Sequence, residues 1–155
     1  MGSGKTVVGA LVAERAHARF FDLDLMIEDE VAMAISDYFA TSGEGAFRKV
    51  ESRVLPQALQ PDSVVALGGG TTIDDRNWEL VSSRATTVFL DASFSIIWER
   101  IGGSRNRPLV ATRTREQVEA LLASRRARYE EAAHRVDADG TPESVAGEVL
   151  KLWSA

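Results

Sequence analysis

The sequence predicts an α/β fold in which a parallel β-sheet carries helices on both faces. Two apolar runs, at 63–67 and 86–91, have the length of buried strands, and segments with helical spacing of apolar residues lie around them. Strands that alternate with helices favour a parallel sheet that is covered on both sides. Because 155 residues suffice for one such core but not for two, we expect a single domain over residues 1–155.

The same patterns place the elements in order along the chain. Apolar spacing from Lys5 to about Arg19 predicts the first helix. Thr114 and Gln117 have the spacing of a capping box, and Pro142 suits the first position of the last helix. Strands are predicted at 20–24, 63–67, 86–91 and 135–137. Helices are predicted at 5–19, 25–30, 35–41, 46–55, 93–101, 114–133 and from 142 onward, with Pro56 straining the end of the helix at 46–55.

Composition and charge narrow the classes of function. The chain contains no cysteine, which excludes disulfides and thiolate metal sites, and it shows neither a long apolar span nor a basic apolar leader. We therefore expect a cytoplasmic protein without a membrane partner, and we take it to be a monomer. The net charge of −5 argues against nucleic acid as the main partner, because a phosphate backbone needs a broad basic surface. A local arginine cluster could still bind a small anion.

The first residues carry part of a phosphate-binding motif. The sequence MGSGKT at residues 1–6 matches the second half of the pattern G-x-x-x-x-G-K-[ST]. In that pattern the glycines let backbone N–H groups surround phosphate oxygens at a helix N-terminus, the lysine reaches the outer phosphates, and the hydroxyl binds magnesium. Lys5 and Thr6 would have these last two roles. The alternative is a glycine-rich turn before an ordinary helix.

The first half of this motif is not in the sequence. The first glycine of the pattern would fall before Met1, and so would the strand that normally leads into such a loop. That strand would be central to the sheet. We therefore expect Met1 to be an internal methionine of a longer chain, and we expect the chain as written to fold poorly or to bind ATP weakly.

Three further clusters have residue types that suit a nucleotide and an acidic substrate. Asp22 and Asp24 would put two carboxylates on one side of a strand end, although a solvated strand end has the same pattern. Arg48 and Glu51 share a helix face, as they would in a surface ion pair. The triple glycine at 68–70 ends a buried strand, where α/β sheets bind ligands, although a flexible turn is the plainer explanation.

Six motifs in a fixed order resemble the shikimate kinase family: GSGKT, DLD, GEGAFRKVE, GGG, NRPL and R-x-x-x-Y. The resemblance covers essentially the whole chain. It implies a P-loop kinase fold similar to the nucleoside monophosphate kinases, here without the first central strand. It also implies ATP-dependent phosphorylation of a shikimate hydroxyl to shikimate 3-phosphate, in the biosynthesis of chorismate and the aromatic amino acids. ATP and Mg²⁺ would be the cofactors.

The resemblance also implies roles for individual residues. The catalytic groups would be Lys5 on the transferred phosphoryl group, Asp24 as the base that binds the attacking hydroxyl, and Arg107 as the cation that stabilises the transferring group. ATP would be bound by Gly2, Ser3, Gly4, Lys5, Thr6, Arg100 and Arg107. Shikimate would be bound by Asp24, Arg48, Gly68, Gly69, Gly70 and Arg125, with Glu51 holding Arg48. Thr6 and Asp22 would bind Mg²⁺.

Two regions would surround these residues. A mobile lid at about 102–113 would contain Arg107, and a helical region at about 25–60 would bind the substrate. Arg100 would pack its planar guanidinium on adenine. The family often has R-x-P-L-Y where this chain has RRARY at 125–129, so either Arg125 or Arg126 could face the substrate; the spacing to Tyr129 favours Arg125.

Two other functions fit part of the pattern. A kinase of the same superfamily that acts on gluconate or a similar sugar acid would explain the loop and the arginines, but it would not call for the triple glycine or the F-R-x-x-E helix. A catalytically silent nucleotide-binding module would fit the incomplete motif at residues 1–6.

Overall fold

Helices and strands alternate along the chain, as the sequence predicts. The structure is a computed structural model, and it describes residues 2–102 and 113–153. A single 3₁₀ turn, Thr71–Ile73, lies between the second strand and the fourth helix. The strands are β1 Arg19–Asp22, β2 Ser63–Ala66, β3 Val88–Asp91 and β4 His134–Asp137. The helices are α1 Lys5–Ala16, α2 Leu23–Val31, α3 Ile35–Ala58, α4 Asp75–Arg84, α5 Phe94–Gly102, α6 Arg115–Tyr129 and α7 Pro142–Trp153.

All the strand pairing in the described residues is parallel, which confirms the predicted fold class. β1 pairs with β2, with Arg19 opposite Ser63 and Asp22 opposite Ala66. β3 pairs with β4, with Val88 opposite His134. Within the described residues these ladders form two separate two-stranded sheets.

Two apolar clusters form the core. The first joins α1, β3, α5, α6, β4 and α7, and its most buried members include Val12, Ile101 and Val118. The second lies under α2 and α3, where Leu23, Ile27, Leu55 and Ala58 have no exposed surface. The first cluster therefore supports the helix that follows the glycine-rich loop, and the second supports the helices that carry the aspartates and Arg48.

The predicted strand at 20–24 was wrong in its second half. β1 ends at Asp22, because the Asp22 carboxylate accepts hydrogen bonds from the backbone N–H groups of Asp24 and Leu25 and so N-caps α2. Asp24 therefore lies in the first turn of a helix and not at a strand end. The first helix is also shorter than predicted, since it ends where His17 adopts a left-handed conformation with φ of 53°.

The predicted helices at 35–41 and 46–55 are separated by a break in the structure as well. The stretch Ile35–Ala58, called α3, consists of two helical segments that meet in a kink at Gly43, whose φ of 78° and ψ of 169° are not helical. Only glycine adopts this conformation at little cost. Pro56 lies inside α3, two residues before its end, and does not stop the helix there.

The helix α4 and the 3₁₀ turn before it were missed by the sequence interpretation. α4 begins after Asp74, whose carboxylate accepts from the backbone N–H groups of Arg76 and Asn77. An N-cap aspartate four residues before Trp78 and seven before Val81 was the available signal. No helix in the described part of the chain combines the length and apolarity needed to cross a membrane.

A capping box stabilises the start of α6, and its contribution to the stability of the protein can be measured. Thr114 Oγ1 accepts from Gln117 N–H, and Gln117 Oε1 accepts from Thr114 N–H. We expect Thr114→Ala to lower the free energy of unfolding by about 1 kcal/mol, because the Gln117 N–H group loses the hydroxyl that accepts its hydrogen bond. Urea denaturation measures the change. Thr114→Ser is the matched control, and a loss of equal size in both variants would contradict the capping explanation.

Candidate active site

The glycine-rich loop ends at the N-terminus of α1. Gly2 and Gly4 have φ of 72° and 88°, which turn the backbone in a way that other residues rarely adopt. A Cβ atom on Gly2 would lie 2.8 Å from Ile101 Cγ2, so this loop also packs closely against α5. Gly4 N-caps α1 and has no side chain that could accept from the first helical N–H groups. Such an N-terminus suits an anion, since its N–H groups and the helix dipole both favour negative charge.

Asp22 connects this loop to the next helix. Thr6 Oγ1 donates a hydrogen bond of 2.6 Å to Asp22 Oδ2, while Asp22 Oδ1 accepts from the backbone at the start of α2. One carboxylate therefore fixes the relative position of α1 and α2. The hydroxyl and carboxylate oxygens lie together in the way that a hard divalent cation prefers, although no group of three acidic or histidine side chains with metal-site geometry occurs among the described residues.

Asp24 extends from the first turn of α2 towards the glycine triplet. A Cβ atom on Gly68 would lie 2.9 Å from Asp24 Oδ1, so glycine at this position leaves room for the carboxylate. Asp24 is exposed to the cleft, yet the surrounding protein displaces much of the water that would solvate its carboxylate. This desolvation and the charge of Asp22 raise the pKa of Asp24, and the nearby Lys5 ammonium opposes the shift.

A buried carboxylate holds Arg48 in place. Arg48 Nη1 donates to Glu51 Oε2 at 2.8 Å, and the Glu51 side chain is only 1% exposed. The other oxygen of Glu51 accepts from Thr71 Oγ1 at 2.6 Å, and Asn77 Nδ2 donates to the Thr71 carbonyl. Every polar atom of the Glu51 carboxylate therefore has a partner, as burial of a charge requires. Glu44 also accepts from Arg48, at 3.2 Å on the exposed side.

The glycine triplet contacts both arginines that were predicted to bind the substrate. A Cβ atom on Gly70 would collide with the guanidinium of Arg48. The carbonyl of Gly69 accepts from Arg125 Nη1 at 3.1 Å and also from the Tyr129 hydroxyl. Arg126 points away from the triplet, where both of its terminal nitrogens donate to Asp91. Arg125, and not Arg126, therefore lies with the other predicted residues.

The structure thus brings together the loop, the two aspartates, Arg48, the triplet and Arg125. Arg100 lies at the edge of this group: it donates to the carbonyls of Ala138 and Gly140, and its Nη1 would lie 3.9 Å from a Cβ atom on Gly4. Arg107 lies outside the described residues, as does most of the lid predicted at 102–113.

Four residues of the site were missed by the sequence analysis. Glu44, Thr71 and Asn77 belong to the polar network around Arg48 and Glu51, and Tyr129 was noted only for its spacing. Glu44 precedes Arg48 by four residues on a helix, and this spacing could have identified the pair. Thr71 and Asn77 gave no such signal, because their contacts depend on how α3 and α4 pack.

Comparison with known proteins gives one consistent answer. A family model described as shikimate kinase matches residues 1–153. A shikimate kinase of Lactococcus lactis is 34% identical over 99% of this chain and 93% of its own length. One from Thermodesulfovibrio yellowstonii is 37% identical over 99% and 90%. The solved structure of shikimate kinase from Acinetobacter baumannii in complex with shikimate superposes with a TM-score of 0.95, at 30% identity over 99% of this chain and 88% of that one.

The environment of Asp24 leads to a prediction about its ionisation. We expect its carboxyl carbon to titrate above the ordinary aspartate pKa of about 3.9, because desolvation and Asp22 both disfavour the charged form. Lys5→Met should raise the pKa of Asp24 further, because it removes the charge that opposes the shift. NMR titration of the two proteins measures both values. A pKa of Asp24 that fell in the Lys5→Met variant would contradict this account.

The same shift makes stability depend on pH. The folded pKa of Asp24 is raised, so its contribution to stability is complete below about pH 3.9 and is lost as the pH rises through the folded pKa. Asp24→Asn cannot ionise and should therefore melt at a higher temperature than the parent chain at pH 7. At pH 3 the two should melt alike, and a difference of equal size at both pH values would contradict the explanation.

Proposed function

The chain belongs to the shikimate kinase family, and we propose that the cleft described above transfers a phosphoryl group from ATP to a hydroxyl of shikimate. Membership of the family implies an enzyme that uses ATP and works in the shikimate pathway, which leads to the aromatic amino acids. The observation that carries the proposal is the convergence of Arg48 and Arg125 on one glycine triplet, beside the carboxylate of Asp24.

Arg48 and Arg125 form the end of the site that would bind the carboxylate of shikimate. Both guanidiniums reach the triplet, Arg48 at Gly70 and Arg125 at Gly69, so their positive charges lie close together. A planar guanidinium matches a carboxylate with two parallel hydrogen bonds. Without side chains on Gly68, Gly69 and Gly70, the ring of a substrate can approach the backbone closely.

Asp24 would accept the proton of the attacking hydroxyl. It lies between the triplet and the loop, within reach of both ends of the site, and its raised pKa makes it a better proton acceptor than an ordinary aspartate. The Lys5 ammonium would neutralise charge on the transferred phosphoryl group, while Gly2, Ser3, Gly4 and Thr6 would hold the phosphates with backbone N–H groups.

Thr6 and Asp22 would hold Mg²⁺ on the phosphates. Their oxygens already share a hydrogen bond of 2.6 Å, and they are the hard oxygen donors that this ion prefers. When bound, Mg²⁺ would offset the negative charge of the triphosphate. We also propose that Arg100 packs on adenine, that residues 25–60 form the substrate-binding region, and that Arg107 acts from a lid at 102–113. A monomeric cytoplasmic enzyme fits these assignments.

A coupled assay with ATP, Mg²⁺ and shikimate tests the function. We expect ADP to form only when shikimate is present, and we expect no turnover when gluconate replaces it, because the ring-lining triplet and the two arginines suit a cyclic acid. Turnover with gluconate and not with shikimate would overturn the proposed substrate.

The role of Asp24 predicts a selective loss of turnover. Asp24→Asn should lower kcat by about 10²- to 10⁴-fold, because the variant cannot accept the hydroxyl proton. The KM for ATP should change much less than kcat, since residues 2–6 and not Asp24 would hold the phosphates. Steady-state kinetics with each substrate varied in turn measures both effects. Near-normal kcat in this variant would show that another group is the base.

Arg125 and its neighbour Arg126 provide a test variant and a matched control for the proposed binding of shikimate. Arg125→Ala should raise the KM for shikimate by about tenfold or more, because a charge-assisted hydrogen bond contributes about 1.5–3 kcal/mol. Arg126→Ala removes the same side chain one position away, where it pairs with Asp91, and should leave the KM for shikimate unchanged. Equal effects of the two substitutions would contradict the assignment of Arg125.

A further inference from the structure

The Tyr129 hydroxyl and the Arg125 guanidinium share one acceptor, the carbonyl oxygen of Gly69. The two residues are four positions apart on α6 and therefore lie on the same face of that helix. Arg125 Nη1 donates to the carbonyl at 3.1 Å, and the Tyr129 hydroxyl donates to the same oxygen. A carbonyl oxygen has two lone pairs, so it can accept both hydrogen bonds at once.

The other two carbonyls of the triplet are satisfied within the backbone. Gly68 accepts from Thr71 N–H at 3.2 Å, and Gly70 accepts from Ile73 N–H at 3.1 Å. Gly69 is half-buried, and its carbonyl receives both of its hydrogen bonds from side chains of α6. If one of these donors leaves, the other has to remain, because a carbonyl that is partly removed from water and has no donor is costly.

Arg125 is the donor that can leave. Its neighbours Arg126 and Arg128 each pair with two carboxylates. Arg125 forms no ion pair with a carboxylate in residues 2–102 and 113–153, and its hydrogen bond goes to a neutral oxygen. A substrate carboxylate offers Arg125 a stronger hydrogen bond than the carbonyl does, because a charged acceptor binds a guanidinium more strongly than a neutral one.

Tyr129 is the donor that stays. Its ring packs against Phe89 of β3, with 5.5 Å between the ring centroids. Burial raises the pKa of Tyr129, and the positive charges of Arg125 and Arg48 oppose the shift. The hydroxyl therefore remains protonated at neutral pH and can donate. Because a neutral hydroxyl gains less from a carboxylate than a guanidinium does, Tyr129 is the donor that keeps the carbonyl.

We propose that Tyr129 is a positioning residue: its hydroxyl keeps the Gly69 carbonyl paired while Arg125 leaves that carbonyl for the carboxylate of the substrate. This role depends on the proposed function, since it requires that Arg125 bind shikimate. Without the hydroxyl, Arg125 would be the sole donor to the carbonyl, and substrate binding would leave a half-buried acceptor unpaired. Tyr129 therefore raises the affinity for shikimate through Arg125.

A double-mutant cycle without ligand tests whether the two donors share the carbonyl. Tyr129→Phe and Arg125→Ala each leave one donor, whereas the double variant leaves none. We expect the double variant to lose more stability in urea denaturation than the sum of the two single losses. Thr87→Val is the matched control, since it removes a hydroxyl that accepts from Ala133 N–H just beyond α6, and its loss should add to that of Arg125→Ala. Additive losses for Tyr129→Phe and Arg125→Ala would overturn the proposal.

Calorimetric titration of the same variants with shikimate tests the role in binding. We expect Tyr129→Phe to weaken shikimate binding by about fivefold, while kcat and the KM for ATP change by less than about twofold. In the Arg125→Ala background the same substitution should change the affinity by less than about twofold, because no guanidinium has to leave the carbonyl. Equal weakening in both backgrounds would show that the hydroxyl only maintains the fold, and it would overturn the proposal.

Two other outcomes separate this role from the proposed function. Weaker shikimate binding in Arg125→Ala, with unchanged binding in Tyr129→Phe, would overturn the role of Tyr129 and leave the proposed function in place. Shikimate binding that Arg125→Ala does not weaken would overturn the proposed role of Arg125 and the role of Tyr129 with it.

Discussion

The hydrogen bonds of Asp22 are the constraint on which the site depends. One oxygen of this carboxylate receives the Thr6 hydroxyl, and the other caps α2. The first bond holds the helix that follows the loop, and the second sets where α2 begins, so Asp24 in the first turn of α2 has a fixed distance from the loop. A single side chain thereby links the end that would bind phosphate to the group that would accept the proton.

The buried Glu51 fixes the positions of the residues at the other end of the cleft. It is a charge with almost no solvent contact, and it is stable there because Arg48 and Thr71 both donate to it. Thr71 immediately follows the glycine triplet, and Arg48 borders it, so the network fixes the triplet relative to α3. The position of the arginine is thus determined before any ligand binds, which reduces the conformational entropy lost on binding.

The sequence predicted what is local and missed what depends on packing. The loop, the paired aspartates and the Arg48–Glu51 pair could be recognised, because each lies within a few consecutive residues with a known spacing. Thr71 is 20 residues from Glu51, and no local pattern indicates that they meet. The end of β1 was misplaced because an aspartate cap overrode the strand pattern. Arg125 and Arg126 differ by about 100° around α6, and only the packing of that helix decides which faces the triplet.

In the absence of a ligand, the Glu44 carboxylate already pairs with Arg48, so it would compete with the carboxylate of a substrate for this arginine. Glu44 follows the bend at Gly43 and occupies the outer side of the Arg48 guanidinium, while Glu51 keeps the inner side. An acid bound at Arg48, as proposed, would have to displace Glu44, whose pairing is solvent-exposed and weak, whereas a neutral polyol would gain nothing from the displacement. Glu44 and Arg48 lie on the same helical segment, which the buried side chains of Phe47 and Leu55 anchor in the core. The displacement would therefore reorient one side chain and leave the backbone of α3 in place.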